Sequence, residues 1–355
     1  MLIHDRLSEF QSRRRSVRRI RRATLCAVVA ISAISCLTAQ ADEPLKAGII
    51  GLDTSHVIAF TKLFNDPKAE GDLADVRVTV GFPGGSPDVD SSRNRVEKFT
   101  ETLRDQYKLE IVDSVEALVA KVDVVLLESV DGRPHLEQVR PVLKAGKPVF
   151  IDKPFAGSLA DAVEIFDLVK KHDVPCFSSS SLRFSPGILG MRNDPEVGDV
   201  LGCAAFSPCS LEAHHPDLFW YGVHGVETLF TIMGTGCESV ARTHTADFDL
   251  ATGVWKDGRI GTFRGIRKGK SGYGAMVYGS KGIKRSGSYG GYAPLVLEIA
   301  KFFKTGKPPV SAEETLQIFA FMEAADESKR QGGKPVTLES VLRKAREEVA
   351  KRNRK

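Results

Sequence analysis

The stretch that decides the fold is Leu143-Lys-Ala-Gly-Lys-Pro-Val-Phe-Ile-Asp-Lys-Pro154. It ends a helical pattern at Ala145-Gly146, runs a short apolar strand and sets Lys153 at that strand's carboxyl end. Ligands of open α/β sheets bind outside the carboxyl ends of the strands. The proline after Lys153 disfavours helical backbone and aims the lysine along the strand's exit. An ammonium held there points to chemistry on a nucleotide cofactor or its substrate; the alternative is a lysine in a surface turn.

Outward from this stretch, apolar runs bounded by turn residues occur at 45–50, 76–82, 123–128 and 148–151, with a weaker one at 109–112 and a last one at 174–178. Helical patterns at 93–105, 134–145 and 158–171 lie between them. Short continuous apolar strands alternating with helices predict a parallel sheet covered on both faces. Beyond Arg183-Phe-Ser-Pro186 the texture changes to Gly- and Thr-rich strands at 199–207, 237–246, 249–256, 259–266 and 273–279, with one helix at 222–233. Turns such as Lys256-Asp-Gly258 favour antiparallel hairpins. Helices return at 293–304, 311–329 and 339–352. The expected class is α/β, with a doubly wound parallel domain over 42–178, an α/β domain with an open, mostly antiparallel sheet over 179–335, and a final helix in 336–355.

Residues 1–41 read as an export signal: arginines from Arg13 to Arg22, an apolar run from Ala23 to Leu37, and Ala39-Gln-Ala41 as the cleavage site. The arginine pairs Arg18-Arg19 and Arg21-Arg22 allow the twin-arginine route. The expected location is the periplasm; a lipoprotein through Cys36 or an uncleaved anchor are the alternatives. The segment holds eight arginines and two acids, so its removal takes the 50 basic and 45 acidic residues to 42 and 43. That balance leaves no clustered basic surface for nucleic acid and no polybasic membrane patch. No membrane span is expected after cleavage. Cys176, Cys203, Cys209 and Cys237 fit no zinc spacing and read as buried thiols, with Cys203–Cys209 the best disulfide pair.

The first strand runs into Gly51-Leu-Asp-Thr-Ser-His56, where a dinucleotide-binding turn would read Gly-x-Gly-x-x-Gly. Only Gly51 matches; Asp53 and His56 stand in the places of the second and third glycines. Asp53, Thr54 and Ser55 read either as a helix cap or as a modified cofactor turn, and His56 also as a ligand. The second strand ends in Gly81-Phe-Pro-Gly-Gly-Ser86, without the acid that selects NAD over NADP. Ser86 and Arg93 are candidates for a 2′-phosphate, against an ordinary glycine turn. His224 is either a bonded core histidine or a proton donor and acceptor near Lys153. A metal set of His214, His215, His224 and Glu227 lacks the close His-x-x-x-His spacing, so no metal is expected.

Taken in order, Ile49-Ile-Gly51, Pro134-His135, Ala145-Gly-Lys-Pro-Val149, Asp152-Lys-Pro154, Arg183-Phe184, Gly222-Val-His224, Trp255-Lys-Asp-Gly258, Gly279-Ser-Lys-Gly282, Gly306-Lys-Pro-Pro309 and Glu323-Ala-Ala-Asp-Glu-Ser-Lys329 resemble the Gfo/Idh/MocA oxidoreductase family over nearly all of 45–340. The resemblance implies a Rossmann domain, a second domain whose open sheet packs against another subunit in a homo-oligomer, and hydride transfer between NAD or NADP and a hydroxyl-bearing carbon of a sugar or cyclitol. It assigns the cofactor to Gly51, Asp53, Thr54, Ser55, His56, Ser86, Asp152, Lys153 and Pro154, and catalysis to Lys153 and His224. Asp152-Lys-Pro154 stands in place of the family's Glu-Lys-Pro. Many members carry an aspartate four residues before the histidine, where this chain has Trp220; Asp217 and Glu227 are the candidates to replace it. The competing readings are a cofactor-free carbohydrate-binding or scaffold protein on this fold and a cofactor-retaining lyase or hydrolase.

Overall fold

The computed structural model describes residues 43–354, so the export signal read in residues 1–41 lies outside the described residues. A parallel sheet forms first, from β1 (Leu45–Ile50), β2 (Val76–Phe82), β3 (Glu110–Ile111), β4 (Val124–Leu127), β5 (Val149–Ile151) and β6 (Cys176–Ser178). Its order is β3-β2-β1-β4-β5-β6, so the chain reverses direction across the sheet between β1 and β4. That is the doubly wound Rossmann arrangement, with its ligand crevice at the switch point. The covering helices are α1 (Ser55–Phe64), α2 (Asp90–Arg93), α3 (Val96–Asp105), α4 (Val115–Val119), α5 (His135–Lys144) and α6 (Leu159–His172). The pattern read as one helix over 93–105 is broken at Asn94-Arg95 between α2 and α3.

The helices start where side chains satisfy free amides. Ser114 accepts from the Ala117 amide at the start of α4, and Ser158 from the Asp161 amide at the start of α6. The strands are apolar on both faces: Ala47 and Ile49 pack with Phe60 of α1, whereas Ile50, Val125 and Leu127 pack with Leu118, Val139 and Ile165.

The chain then passes α7 (Pro186–Leu189) and builds a second sheet around α8 (Asp217–Trp220) and α9 (Val223–Met233). The strands are β7 (Val200–Pro208), β8 (Cys237–His244), β9 (Phe248–Trp255), β10 (Ile260–Ile266), β11 (Gly274–Gly279), β12 (Ile283–Arg285) and β13 (Val336–Thr337). Their order is β12-β11-β7-β10-β9-β8-β13. Within this second sheet β7 and β10 pair in parallel and the other pairs are antiparallel. α10 (Ala293–Thr305), α11 (Ala312–Arg330) and α12 (Leu338–Arg352) complete the chain. α10 returns to the first sheet, where Leu295, Val296, Ile299 and Phe302 join the core around Ile49 and Phe60. α12 packs on α6. Residues 43–354 thus belong to one compact unit holding both sheets. The four cysteines of this unit are all unpaired and buried.

α9 lies directly on the inner face of the second sheet. A Cβ on Gly225 would come within 2.2 Å of Cε2 of Phe263 on β10 and 2.8 Å of the Ser207 hydroxyl. Only hydrogen at that position lets helix and sheet meet, and overfilling a packed site typically costs about 1–3 kcal/mol. Gly225→Ala is therefore expected to lower unfolding stability by about that amount in a urea titration.

Candidate active site

The carboxyl ends of β1, β4 and β5 open onto a cavity of about 390 Å³. Thr54, Ser55 and His56 reach it from the start of α1, Lys153 from the exit of β5, and His224 from α9. Ser91 and Arg95 line one part, and Trp220, Tyr221, Tyr273, Tyr289 and Tyr292 line the rest. The chain has six tyrosines, and four of them stand around this one cavity, giving its wall apolar ring faces with polar hydroxyl tips. Tyr221 and Tyr273 share a hydrogen bond between their hydroxyls at 3.1 Å.

Gly51 sits where the first strand turns, at φ +85°, and a Cβ there would lie 2.5 Å from the Ser129 backbone. Glycine alone fits both constraints. Thr54 caps α1 by accepting the His56 amide. Asp53 corrects the expectation of a cofactor ligand, because its carboxylate points into the protein. It accepts from the Val130 amide at 2.9 Å and from the Ser92 hydroxyl at 2.6 Å, tying the β1 turn to the loops after β4 and β2.

Ser86 is a second correction. Its hydroxyl donates to Asp131 Oδ2 at 2.6 Å, and that carboxylate, buried and also bonded to Arg133, would repel a phosphate. Arg93, its expected partner, bonds the Pro87 carbonyl and Asp90 instead. Arg95, which sequence reasoning missed, is the arginine that reaches the cavity. Asp152 and Pro154 are buried beside Lys153 without lining the cavity, and the Lys153–Pro154 peptide is cis.

His224 is held from behind. Its Nδ1 shares a 2.7 Å hydrogen bond with Ser180 Oγ. The Ser180 amide donates to Glu227 Oε2 at 2.7 Å. Glu227 also accepts from the Ser179 hydroxyl and from Arg183 Nε, and Arg183 reaches on to Glu314. Burial, with Lys153 and His56 nearby, pushes the His224 pKa well below its ordinary value of 6.5. The ring is therefore neutral in the neutral pH range. Asp217 does not supply the missing acid, since it pairs with Arg242 and Lys329. Glu227 touches His224 only through Ser180. Trp220 packs its indole against His215 and takes its place in the cavity wall.

His214 is half exposed and bonds Glu212, and His215 lies beside Asp131. Neither joins His224 and Glu227 in a ligand set. The described residues instead bring His56, Glu128 and Asp152 together, all three buried.

Residues 89–180 match a family model described as an oxidoreductase family with an NAD-binding Rossmann fold. An uncharacterized oxidoreductase of Streptococcus pneumoniae serotype 4 is 26% identical over 163 residues, which are 40% of this chain; the chain spans 43% of that relative's length. Among solved structures, scyllo-inositol dehydrogenase from Lactobacillus casei with bound NAD(H) and scyllo-inositol superposes with a TM-score of 0.67 at 15% identity, covering 83% of this chain and 99% of the other. Myo-inositol 2-dehydrogenase from Lactobacillus plantarum gives 0.67 at 14%, covering 83% and 99%. At these identities the structures establish a common fold.

The cavity residues fit such a cofactor. Thr54 and Ser55, at the positive end of the ten-residue α1, stand with Arg95 where an anionic diphosphate would lie. Lys153, His224 and the tyrosines line the same cavity. Over residues 89–180 the chain is thus similar to an oxidoreductase family with an NAD-binding Rossmann fold, and it shares its fold with the inositol dehydrogenases.

Proposed function

We propose that this chain is an NAD- or NADP-dependent dehydrogenase that acts on a hydroxyl-bearing carbon of a sugar, cyclitol or related polyol. The observation that carries the proposal is the meeting of Lys153 and His224 in one tyrosine-lined cavity at the carboxyl ends of the parallel strands. The inositol dehydrogenases that share the fold support a polyol as the substrate class. When bound, the nicotinamide would accept or donate the hydride. Thr54, Ser55 and Arg95 would hold its diphosphate.

The chain's own residues do the rest. With Nδ1–H donated to Ser180, the neutral His224 ring presents the Nε2 lone pair to the cavity and takes the hydroxyl proton. The Lys153 ammonium steadies the alkoxide that develops as that proton leaves. The tyrosine rings offer faces to the C–H groups of the substrate and hydroxyls to its oxygens, so they orient the reacting carbon without competing for its proton.

The leader read in residues 1–41 supports export to the periplasm, where free nicotinamide cofactor is scarce; tight retention of the cofactor within one catalytic cycle follows from that setting. A homo-oligomer is supported by the outer face of the second sheet. There Ile283, Tyr278, Ile260 and Val254 stand in one cross-strand row, each at least 40% exposed. Such a contiguous apolar row is a surface that a partner subunit would cover.

Native mass spectrometry of the purified chain, alone and with NAD or NADP added, is expected to show one dinucleotide per chain. Absence of both at millimolar concentration would sink the proposal. With a competent polyol, kcat is expected to stay level from about pH 8 down past 6.5 and to fall only at lower pH, because protonation of His224 is displaced downward. His224→Gln should lower kcat by about 10²–10⁴-fold while leaving dinucleotide binding intact. Light scattering of Ile260→Lys, compared with the unaltered chain, should show loss of the oligomer.

A further inference from the structure

Beneath the cavity, β4 and β5 run side by side in parallel with Leu127 opposite Ile151. Their next residues, Glu128 and Asp152, therefore leave the sheet as neighbours. Both side chains are buried, Glu128 at 0% and Asp152 at 1% exposure. His56, one residue into α1, closes the group: Nδ1 is 2.7 Å from Asp152 Oδ2 and 3.9 Å from Glu128 Oε2.

This arrangement leaves three acceptors stranded. Both oxygens of Glu128, and Oδ1 of Asp152, have no hydrogen-bond partner. Burial, and then the Asp152 charge, push the Glu128 carboxyl toward its neutral form. A single proton shared between Glu128 and Asp152 would still leave one of the three oxygens without a partner. A cation seated among them would serve both carboxylates at once and remove their mutual repulsion.

The three donors lie within 4.8 Å of one another. The separations of 2.7 and 3.9 Å bracket the roughly 3–3.4 Å expected between ligand atoms that share a metal about 2.1 Å away. One imidazole nitrogen with two carboxylates suits a first-row divalent ion. We propose that His56, Glu128 and Asp152 form a binding site for such a cation, Mn²⁺ or Zn²⁺, in the floor of the cavity.

The two carboxylates would bind through their oxygens and His56 through a ring-nitrogen lone pair. The cation balances the two carboxylates, and the neighbouring Lys153 then leaves the floor with one net positive charge. An open coordination position toward the cavity would accordingly take an oxygen ligand, a hydroxyl, alkoxide or carboxylate. Metal binding is read directly, so its test does not depend on turnover.

The test is titration of the purified, chelator-treated chain with MnCl₂ or ZnCl₂ by calorimetry, with CoCl₂ as a visible-absorption probe. One equivalent is expected to bind, with Co²⁺ bands in the visible region. Glu128→Gln, which keeps the side-chain shape, should weaken binding at least about 100-fold; His56→Ala should do the same. Circular dichroism verifies the fold, and should His56→Ala fail to fold, Glu128→Gln alone carries the test. No stoichiometric binding at millimolar metal, or equal binding by Glu128→Gln, overturns the proposal; the first outcome would mean that the cluster holds a proton, the second that the ion sits elsewhere.

Discussion

The parallel pairing of β4 with β1 on one side and β5 on the other is the constraint on which the site depends. It brings the exits of three strands to one level, so that Gly51, Glu128 and Asp152 follow Ile50, Leu127 and Ile151 at the same edge. Backbone bonds fix that level: the Glu128 amide donates to Ile50 and the Asp152 amide to Leu127. His135 holds the two later exits together from α5, with its ring nitrogens facing the carbonyls of Ser129 and Phe155. Lys153 enters the cavity only because Asp152, one residue earlier on an alternating backbone, is turned the other way.

A second set of interactions ties the loops above this edge. Asp53, Ser92, Ser86, Asp131, Arg133 and Asp88 form a chain of hydrogen bonds from the β1 turn across the loop after β2 to the loop after β4. In a standard turn, glycines let the backbone approach a diphosphate. Here a buried carboxylate takes over the architectural task, while Thr54, Ser55 and Arg95 are the groups that face the cavity. Burial pushes the Asp53 pKa up against those hydrogen bonds, which is the tension expected of a carboxylate used as an internal tie.

The parallel sheet was legible because its strands are fully buried and hence apolar without interruption, as in Val124–Leu127. The second sheet was legible through its turns. The two-residue β13 was not, since Val336-Thr337 carries too little pattern and is defined by its pairing with β8. Lys153 and His224 could be read from motifs at element ends. Tyr273, Tyr289 and Tyr292 could not, because they come from separate loops and the start of α10 and share no spacing. The roles of Asp53 and Ser86 were misread for one reason: the same oxygen that can meet a ligand can also bond a loop, and only the fold decides which partner is near. Glu128 gave no signal at all, as a single acid after an apolar strand looks like a solvent-facing turn.

The return of α10 to the first sheet has a mechanical consequence. Tyr292, at its start, sits in the cavity wall, while Leu295, Val296 and Ile299 are sealed against α1 and β1. α12 clasps α6 on the other side. The chain thus laces the two sheets together at several points. Swinging one half away from the other as in a hinged clamp would have to unseat both helices. An N-terminal half cut out at residue 178 would leave bare the apolar groove that α10 fills.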